Sequence, residues 1–243
     1  GEEVTAPPET CQELPEWPLH QLLSYEKELL GLYLTGHPLG PYTAILEQYA
    51  LATAATLPQL PPSTATRLGG LVVSVQEGIS RKGNRPYLIA TLEDLTGTAQ
   101  VLAFDDVGDR CRSILRPNAA VMVLGETSNE EGSSKLFAWD ALPLEEAPAR
   151  FTKQVQFRIY PACSRPEILK SIRNLVEAHP GRCPLYLCFL RPGGETVMLE
   201  THERFSVKPS LSLQQAVEQL LGENGYYAKV DTNPPERPNR FPR

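Results

Sequence analysis

The sequence predicts an α+β chain of several domains: a short helical segment, a five-stranded β-barrel, and then a small α+β domain. Three observations predict this order. Residues 19–34 repeat their apolar side chains with a helical period. Residues 67–142 hold five β-rich runs at roughly ten-residue spacing, separated by turn residues. Residues 150–231 mix strand and helix patterns. A chain of 243 residues, 41% of them apolar, can bury a core and allows one large domain or two small ones.

The amino-terminal part is predicted as a linker followed by helices. Residues 1–18 are acidic and hold four prolines, which predicts a disordered linker. Residues 19–66 are predicted as a helical segment. Its apolar period indicates two helices, Leu19–Leu34 and Pro41–Tyr49. Glu26 lies on the apolar stripe of the first helix, where we expect a partner for a nearby cation rather than a catalytic acid. His37 stands in a Gly-His-Pro turn and is predicted to be structural rather than catalytic or metal-binding.

The barrel prediction, over residues 67–142, rests on five strands and one helix. The strands are predicted at Arg67–Glu77, Pro86–Asp94, Thr98–Phe104, Ala119–Glu126 and Lys135–Leu142. Asp105–Leu115 has helical spacing and follows the third strand. A helix placed after strand three of five is the order of an OB-fold, a Greek-key barrel that commonly binds oligonucleotides.

After the barrel, residues 143–149 are predicted as a second linker and residues 150–231 as the α+β domain. Its strands are predicted at Phe151–Tyr160, Leu185–Leu190, Thr196–Glu200, Arg204–Val207 and, at an edge, Tyr226–Val230. Its helices are predicted at Pro166–His179 and from a capping box at Ser212 to Leu221. Residues 232–243 are rich in Pro and Arg, which predicts a disordered tail.

Charge and cysteine content exclude several classes of protein. The net charge of −6 argues against non-specific binding to nucleic acid, so any phosphate contact must use local basic segments. Residues 67–91 and 150–208 are such segments. No apolar run reaches the roughly 20 residues that span a bilayer. Five cysteines without a CxxC motif suit a reducing cytosol. Cys183 and Cys188 are predicted to be buried apolar residues, with metal ligation as the alternative.

The sequence shows no catalytic motif of the common hydrolase, metalloprotease or nucleotide-binding kinds. Two pairs of adjacent acids, Asp105–Asp106 and Glu145–Glu146, have no third acid at a spacing typical of a two-metal site. We therefore predict no catalytic residue, no metal ligand and no cofactor in this chain.

The predicted barrel offers a binding site for nucleic acid instead. The loop between its first two strands, residues 78–85, holds three cations and two glycines, a composition suited to phosphates; the alternative is a solvated hairpin tip. Aromatic rings on the strands are candidates for stacking on bases, although we expect at least two of the four rings considered to fill the core. The predicted nucleic-acid contacts are Arg81, Lys82, Arg85, Tyr87, Phe104, Lys135 and Trp139, and Phe137 is predicted to share a strand face with Trp139.

Three motifs resemble a known family in its order. The run YEKELLGLYLTGHPL at Tyr25–Leu39 resembles a helix and turn of the bacterial DNA polymerase III alpha subunit, the replicative C-family polymerase. The LED–TG run at residues 92–97 resembles its OB segment, and VKPS at residues 207–210 resembles its carboxy-terminal domain. The resemblance covers residues 19 to about 230.

The resemblance implies a role in DNA replication. The chain resembles the carboxy-terminal portion of the subunit, as a fragment or as one product of a divided gene. The family's catalytic aspartates and their Mg²⁺ lie far upstream, so whether this chain takes part in an enzyme is left open. The resemblance implies that the OB domain binds the single-stranded template through the loop of Arg81, Lys82 and Arg85, and that the last domain docks onto the clamp loader. It implies a bacterial cytoplasmic protein at nucleoid replication forks.

Two other functions remain possible on the sequence. One is a protein-docking module of the replisome that makes no direct contact with DNA, which the acidic residues of the barrel favour. The other is a stand-alone enzyme of unknown type.

Overall fold

The fold was analysed in a computed structural model that describes residues 17, 19–31, 33–80, 85–163 and 165–237. By its internal contacts the chain divides into two units, residues 1–40 and residues 41–243. No helix in these described ranges is long and apolar enough to cross a membrane. Apart from residue 17, the linker predicted at residues 1–18 lies outside the described residues.

In the first unit, helix α1 (Leu19–Leu30) ends four residues earlier than predicted. The Glu26 carboxylate accepts hydrogen bonds from the main-chain N–H groups of Leu34 (2.7 Å) and Thr35 (3.0 Å), and from the Thr35 hydroxyl. Within the described residues, the Glu26 side chain closes the turn that follows its own helix instead of pairing with a cation. Hydrogen bonds from Thr35 lower the pKa of Glu26. His37 Nδ1 accepts from the main-chain N–H two residues later, as suits a turn residue.

The second unit begins with a short helix and the barrel. Its elements are α2 (Thr43–Tyr49), β1 (Ala65–Ile79), β2 (Pro86–Asp94), β3 (Gly97–Phe104), α3 (Asp105–Cys111), β4 (Ala120–Thr127) and β5 (Lys135–Pro143). The strands close in the order β1-β2-β3-β5-β4, with β3 and β5 parallel and the other pairs antiparallel. This confirms the predicted five-stranded OB-fold barrel with its helix after the third strand. Alternate residues fill the interior, among them Leu68, Val72, Leu88, Val101 and Leu136.

The segment 143–149, predicted as a linker, is instead helical, and its residues Leu144, Ala147 and Pro148 are buried. It forms a 3-10 helix at Leu144–Glu146 and the start of helix α4 (Ala147–Phe151). Leu144 is completely buried. A Cβ added to Gly69 of β1 would lie 3.5 Å from the Leu144 side chain, so this segment packs on the outer wall of the barrel. Its apolar residues are the reason, because burying them removes their surface from water.

The α+β domain forms a mixed sheet with helices. Its elements are β6 (Thr152–Ile159), α5 (Pro166–Ala178), β7 (Pro180–Cys183), β8 (Leu185–Leu190), β9 (Thr196–Glu200), α6 (Leu211–Leu221) and β10 (Tyr226–Val230). The sheet order is β10-β6-β8-β9, with β6 and β8 parallel. The α+β class and the edge position of β10 are as predicted. Its core holds Phe157 and Leu185 of the sheet together with Ile172 and Leu213 of the helices.

Two local predictions in this domain are wrong. The strand predicted at Arg204–Val207 is a 3-10 helix, Glu203–Phe205, after which Val207 makes isolated β-bridges to β7. The cap of α6 is Ser210, whose hydroxyl accepts from the Leu213 N–H at 3.2 Å, rather than Ser212. The second error arises because the sequence offers two serines, Ser210 and Ser212, near the start of the same helix.

The barrel and the α+β domain are joined by a buried cation. The Arg67 side chain is 2% exposed, and its guanidinium lies 4.2 Å from the centre of the Phe151 ring. It donates a hydrogen bond of 2.5 Å to the main-chain carbonyl of Asp231. Burial lowers the pKa of Arg67, and the nearby Asp231 carboxylate opposes that shift. The tail predicted as disordered from residue 232 is described as far as Arg237; residues 238–243 lie outside the described residues.

Candidate nucleic-acid interface

Three aromatic rings lie side by side on the outer face of the barrel. Tyr87 of β2 pairs with Phe104 of β3, and their ring centres are 6.5 Å apart. Phe137 of β5 lies 6.1 Å from Phe104. All three are half-buried, because their neighbours along each strand point into the core and they point outward. We call this group the aromatic strip; it crosses the strands on which OB-folds commonly bind oligonucleotides.

The strip extends over β1 because of a glycine. Gly78 is the register partner of Tyr87. A Cβ added there would lie 2.5 Å from the Tyr87 hydroxyl oxygen and 2.6 Å from its ring carbon, far inside van der Waals contact. The Tyr87 ring therefore occupies the space that the Cβ of any other residue at position 78 would take.

Of the predicted loop cations, Arg85 alone falls within the described residues, since Arg81 and Lys82 lie outside them. The Arg85 side chain is 65% exposed and its guanidinium lies 3.6 Å from the Asp105 carboxylate. An exposed ion pair of this kind contributes about 0–1 kcal/mol. The pair is therefore weak enough for Arg85 to exchange Asp105 for a phosphate.

Lys135 lies at the opposite side of the strip. It pairs in register with Gln100 of β3 and stands two residues before Phe137 on β5. Its ammonium is 3.5 Å from the Glu130 carboxylate, and both side chains are exposed. The strip thus has a cation on each side, and each cation has an acidic neighbour.

Trp139 does not belong to this surface. Its side chain is 8% exposed, and its indole Nε1 is buried with no hydrogen-bond partner among the described residues. The β4–β5 register shifts at this point, from Leu124 opposite Asp140 to Gly125 opposite Ala138, so Trp139 is the extra residue of a β-bulge. Trp139 has no register partner on β4, and it is not among the residues of the apolar cluster that fills the barrel interior. A ring this buried has no open face for a base.

Cys111, Cys183 and Cys188 are buried, as predicted for the last two. Burial raises the pKa of the Cys111 and Cys183 thiols to about 11, and it raises that of Cys188 as well. Within the part of the chain that the structure describes, no group of three or more His, Cys, Asp and Glu residues is placed to hold a metal ion.

Phe137 is not among the nucleic-acid contacts predicted from the sequence, and the structure places it at one end of the strip. The sequence does carry a signal for Phe137. It follows the apolar Leu136 in a strand, so the two side chains point to opposite faces, and Phe137 points outward if Leu136 points into the core. What the sequence could not supply is the parallel pairing of β3 with β5, which brings Phe137 next to Phe104.

Comparisons with known proteins agree with the resemblance seen in the sequence. No protein-family model matches the chain. It is 30% identical over 230 residues, 91% of its length, to the DNA polymerase III subunit alpha of Saccharopolyspora erythraea. It is 29% identical over 86% of its length to that of Pasteurella multocida. The chain spans 19% and 18% of these two relatives. These matches confirm the predicted similarity to DNA polymerase III alpha subunits.

A search of solved structures finds the SSB domain of a Synechococcus protein at 17% identity and a TM-score of 0.29. The match covers 32% of this chain and 92% of that one. The closed strand order described above, and not this likeness, identifies the barrel as an OB-fold.

Proposed function

Because the chain matches about a fifth of the DNA polymerase III alpha subunit, we propose that it is a non-catalytic portion of such a subunit that binds single-stranded DNA and docks other subunits. The observation that carries the proposal is the aromatic strip with Arg85 and Lys135 beside it. In this proposal the parent subunit performs template-directed DNA synthesis, with Mg²⁺ bound at a site upstream of this chain. It works in the bacterial cytoplasm, at replication forks on the nucleoid.

The strip would bind an unpaired strand by stacking. Bases that stack on aromatic side chains contribute about 1–3 kcal/mol each, and the contribution is sequence-tolerant because every base has a π face. Arg85 and Lys135 would contact the phosphates, which makes the binding salt-dependent. A polymerase needs both properties in a site that its template must move across.

The acidic neighbours of these cations set a limit on affinity. Asp105 and Glu130 repel phosphate and must give up their cations when DNA binds. We therefore expect weak binding by the isolated chain. Weak binding is sufficient in the parent protein, because a tethered site meets its ligand at a high effective concentration.

We further propose that the α+β domain docks onto the clamp loader, while residues nearer the amino terminus contact the rest of the alpha subunit. The support is strand β9 at the edge of its sheet. Three consecutive apolar residues of this strand are exposed, Val197 at 40%, Met198 at 51% and Leu199 at 54%. An exposed apolar edge strand is a template for pairing with another chain, and partners commonly add a strand at such an edge.

The alternative is a docking module that makes no contact with DNA. The pairing of both described cations beside the strip with acids favours it, since neither is free in this conformation. The two functions differ in whether the aromatic strip binds unpaired DNA.

A titration of labelled oligo-dT with the complete chain, followed by fluorescence anisotropy at several salt concentrations, separates them. Phe104→Ala removes the central ring and should weaken binding by about five- to a hundredfold, the equivalent of one lost stacking contact. Tyr160→Ala is the control, because Tyr160 is 37% exposed and lies outside the barrel. Equal affinities of the two variants, or no binding by the wild type at low salt, would establish the docking module instead.

A further inference from the structure

We propose that Arg237 is a further nucleic-acid-binding residue, which the carboxy-terminal tail brings back to the barrel at the Phe137 end of the aromatic strip. Its ligand is a backbone phosphate of the unpaired strand. The inference rests on the proposed function, and it extends the binding surface from the barrel to a segment that the sequence predicted as a disordered tail.

The tail begins from a fixed point. Asp231 follows β10, and its main-chain N–H donates a hydrogen bond of 2.7 Å to the Phe151 carbonyl. Its own carbonyl accepts from the buried Arg67, and its carboxylate lies 2.8 Å from the Lys153 ammonium. Three separate contacts thus set the direction in which residues 232–237 leave the domain.

The tail arrives at the edge of the strip. The Arg237 guanidinium lies 3.4 Å from the Glu126 carboxylate of β4, and its central carbon is 6.0 Å from the centre of the Trp139 ring. Glu126 is the register partner of Phe137 across the β4–β5 ladder. The Arg237 guanidinium therefore lies on the barrel beside the residue that is paired with Phe137, the last ring of the strip.

The side chain is both held and available. Arg237 is 56% exposed, whereas Glu126 is 26% exposed. A guanidinium has five N–H donors, and one carboxylate uses at most two of them in a bidentate pair. The exposed side chain therefore has donors left over for a phosphate, a ligand for which arginine is well shaped. With Arg237 in place, the strip has Arg85 near Tyr87 and Phe104, and a second arginine near Phe137.

The test measures oligo-dT binding by the complete chain as a function of salt, for the wild type and for Arg237→Ala. Loss of one phosphate contact should reduce the slope of log affinity against log salt by about 0.7 for a single strand. That change in slope corresponds to a loss of about eightfold in affinity near 50 mM salt, if the contribution of the phosphate contact vanishes near 1 M salt. Arg191→Ala is the matched control, since Arg191 is 64% exposed and lies 3.4 Å from Glu195 in the β8–β9 turn. It should leave both the slope and the affinity unchanged.

A double variant separates contact from charge compensation. If Arg237 only neutralises Glu126, then Glu126→Gln combined with Arg237→Ala should restore the wild-type affinity, and the inference is overturned. If Arg237 contacts phosphate, the double variant should keep the reduced salt slope. An Arg237→Ala variant that binds like the wild type would also overturn the inference, while a loss on Phe104→Ala in the same assay would leave the proposed function standing. Binding by none of the proteins, including the wild type, would reject both.

Discussion

The buried Arg67 allows a sharp test of how the two domains are held together. Its guanidinium gains one charge-assisted hydrogen bond, to the Asp231 carbonyl, and one contact with the Phe151 ring. A hydrogen bond from a charged group contributes about 1.5–3 kcal/mol. A contact between a cation and an aromatic ring contributes up to about 2 kcal/mol. Against them stands a desolvation cost of several kcal/mol for a buried ion. The Nε of Arg67 is buried with no hydrogen-bond partner in the described ranges, which leaves that cost partly uncompensated.

These magnitudes nearly cancel, so the charge itself should add little stability. We expect Arg67→Met, which keeps most of the side-chain volume, to change the free energy of unfolding by less than about 1.5 kcal/mol. Arg67→Ala also removes the buried aliphatic stem and leaves a cavity, so it should destabilise the chain by about 2–4 kcal/mol. Urea denaturation of the complete chain at pH 7, followed by far-ultraviolet circular dichroism, measures both. If Arg67→Met costs as much as Arg67→Ala, the polar contacts dominate and the reasoning is refuted.

Three further predictions concern the strip, the sheet edge and the thiols. Gly78→Ala places a methyl group on the strip's tyrosine and should weaken oligo-dT binding; unchanged binding would contradict that packing. Val197→Lys should reduce capture of a clamp-loader subunit, whereas Leu169→Lys, at 43% exposure on α5, should not. Because burial raises the pKa of Cys111 and Cys183 to about 11, the unfolded thiols, with a pKa of about 8.5, lose their protons first. The contribution of these two thiols to stability should be flat below pH 8, and stability should fall by up to about 2.7 kcal/mol per pH unit near pH 10. Urea titrations that show no loss near pH 10 would contradict the prediction.

The local features of this protein were predictable from its sequence. The five barrel strands and the helix after the third follow from short-range periodicity and turn residues, which depend on neighbours a few positions away. The burial of Cys183 and Cys188 and the outward positions of Tyr87 and Phe104 were also predictable in this way. The three family motifs are read directly from the sequence. Each of these needs only the alternation along one strand or the composition of one segment.

Other features depend on pairing between distant parts of the chain, and only the tertiary structure decided them. The bulge at Trp139 exists only in the register of β4 against β5. Segment 143–149 is ordered because the outer wall of the barrel accepts its apolar residues. The contact of Arg67 with Asp231 joins residues 164 positions apart, and it directs the tail to Glu126. A pattern within one segment carries no information about which distant surface will cover it, so burial of a cation or an indole could not be predicted locally.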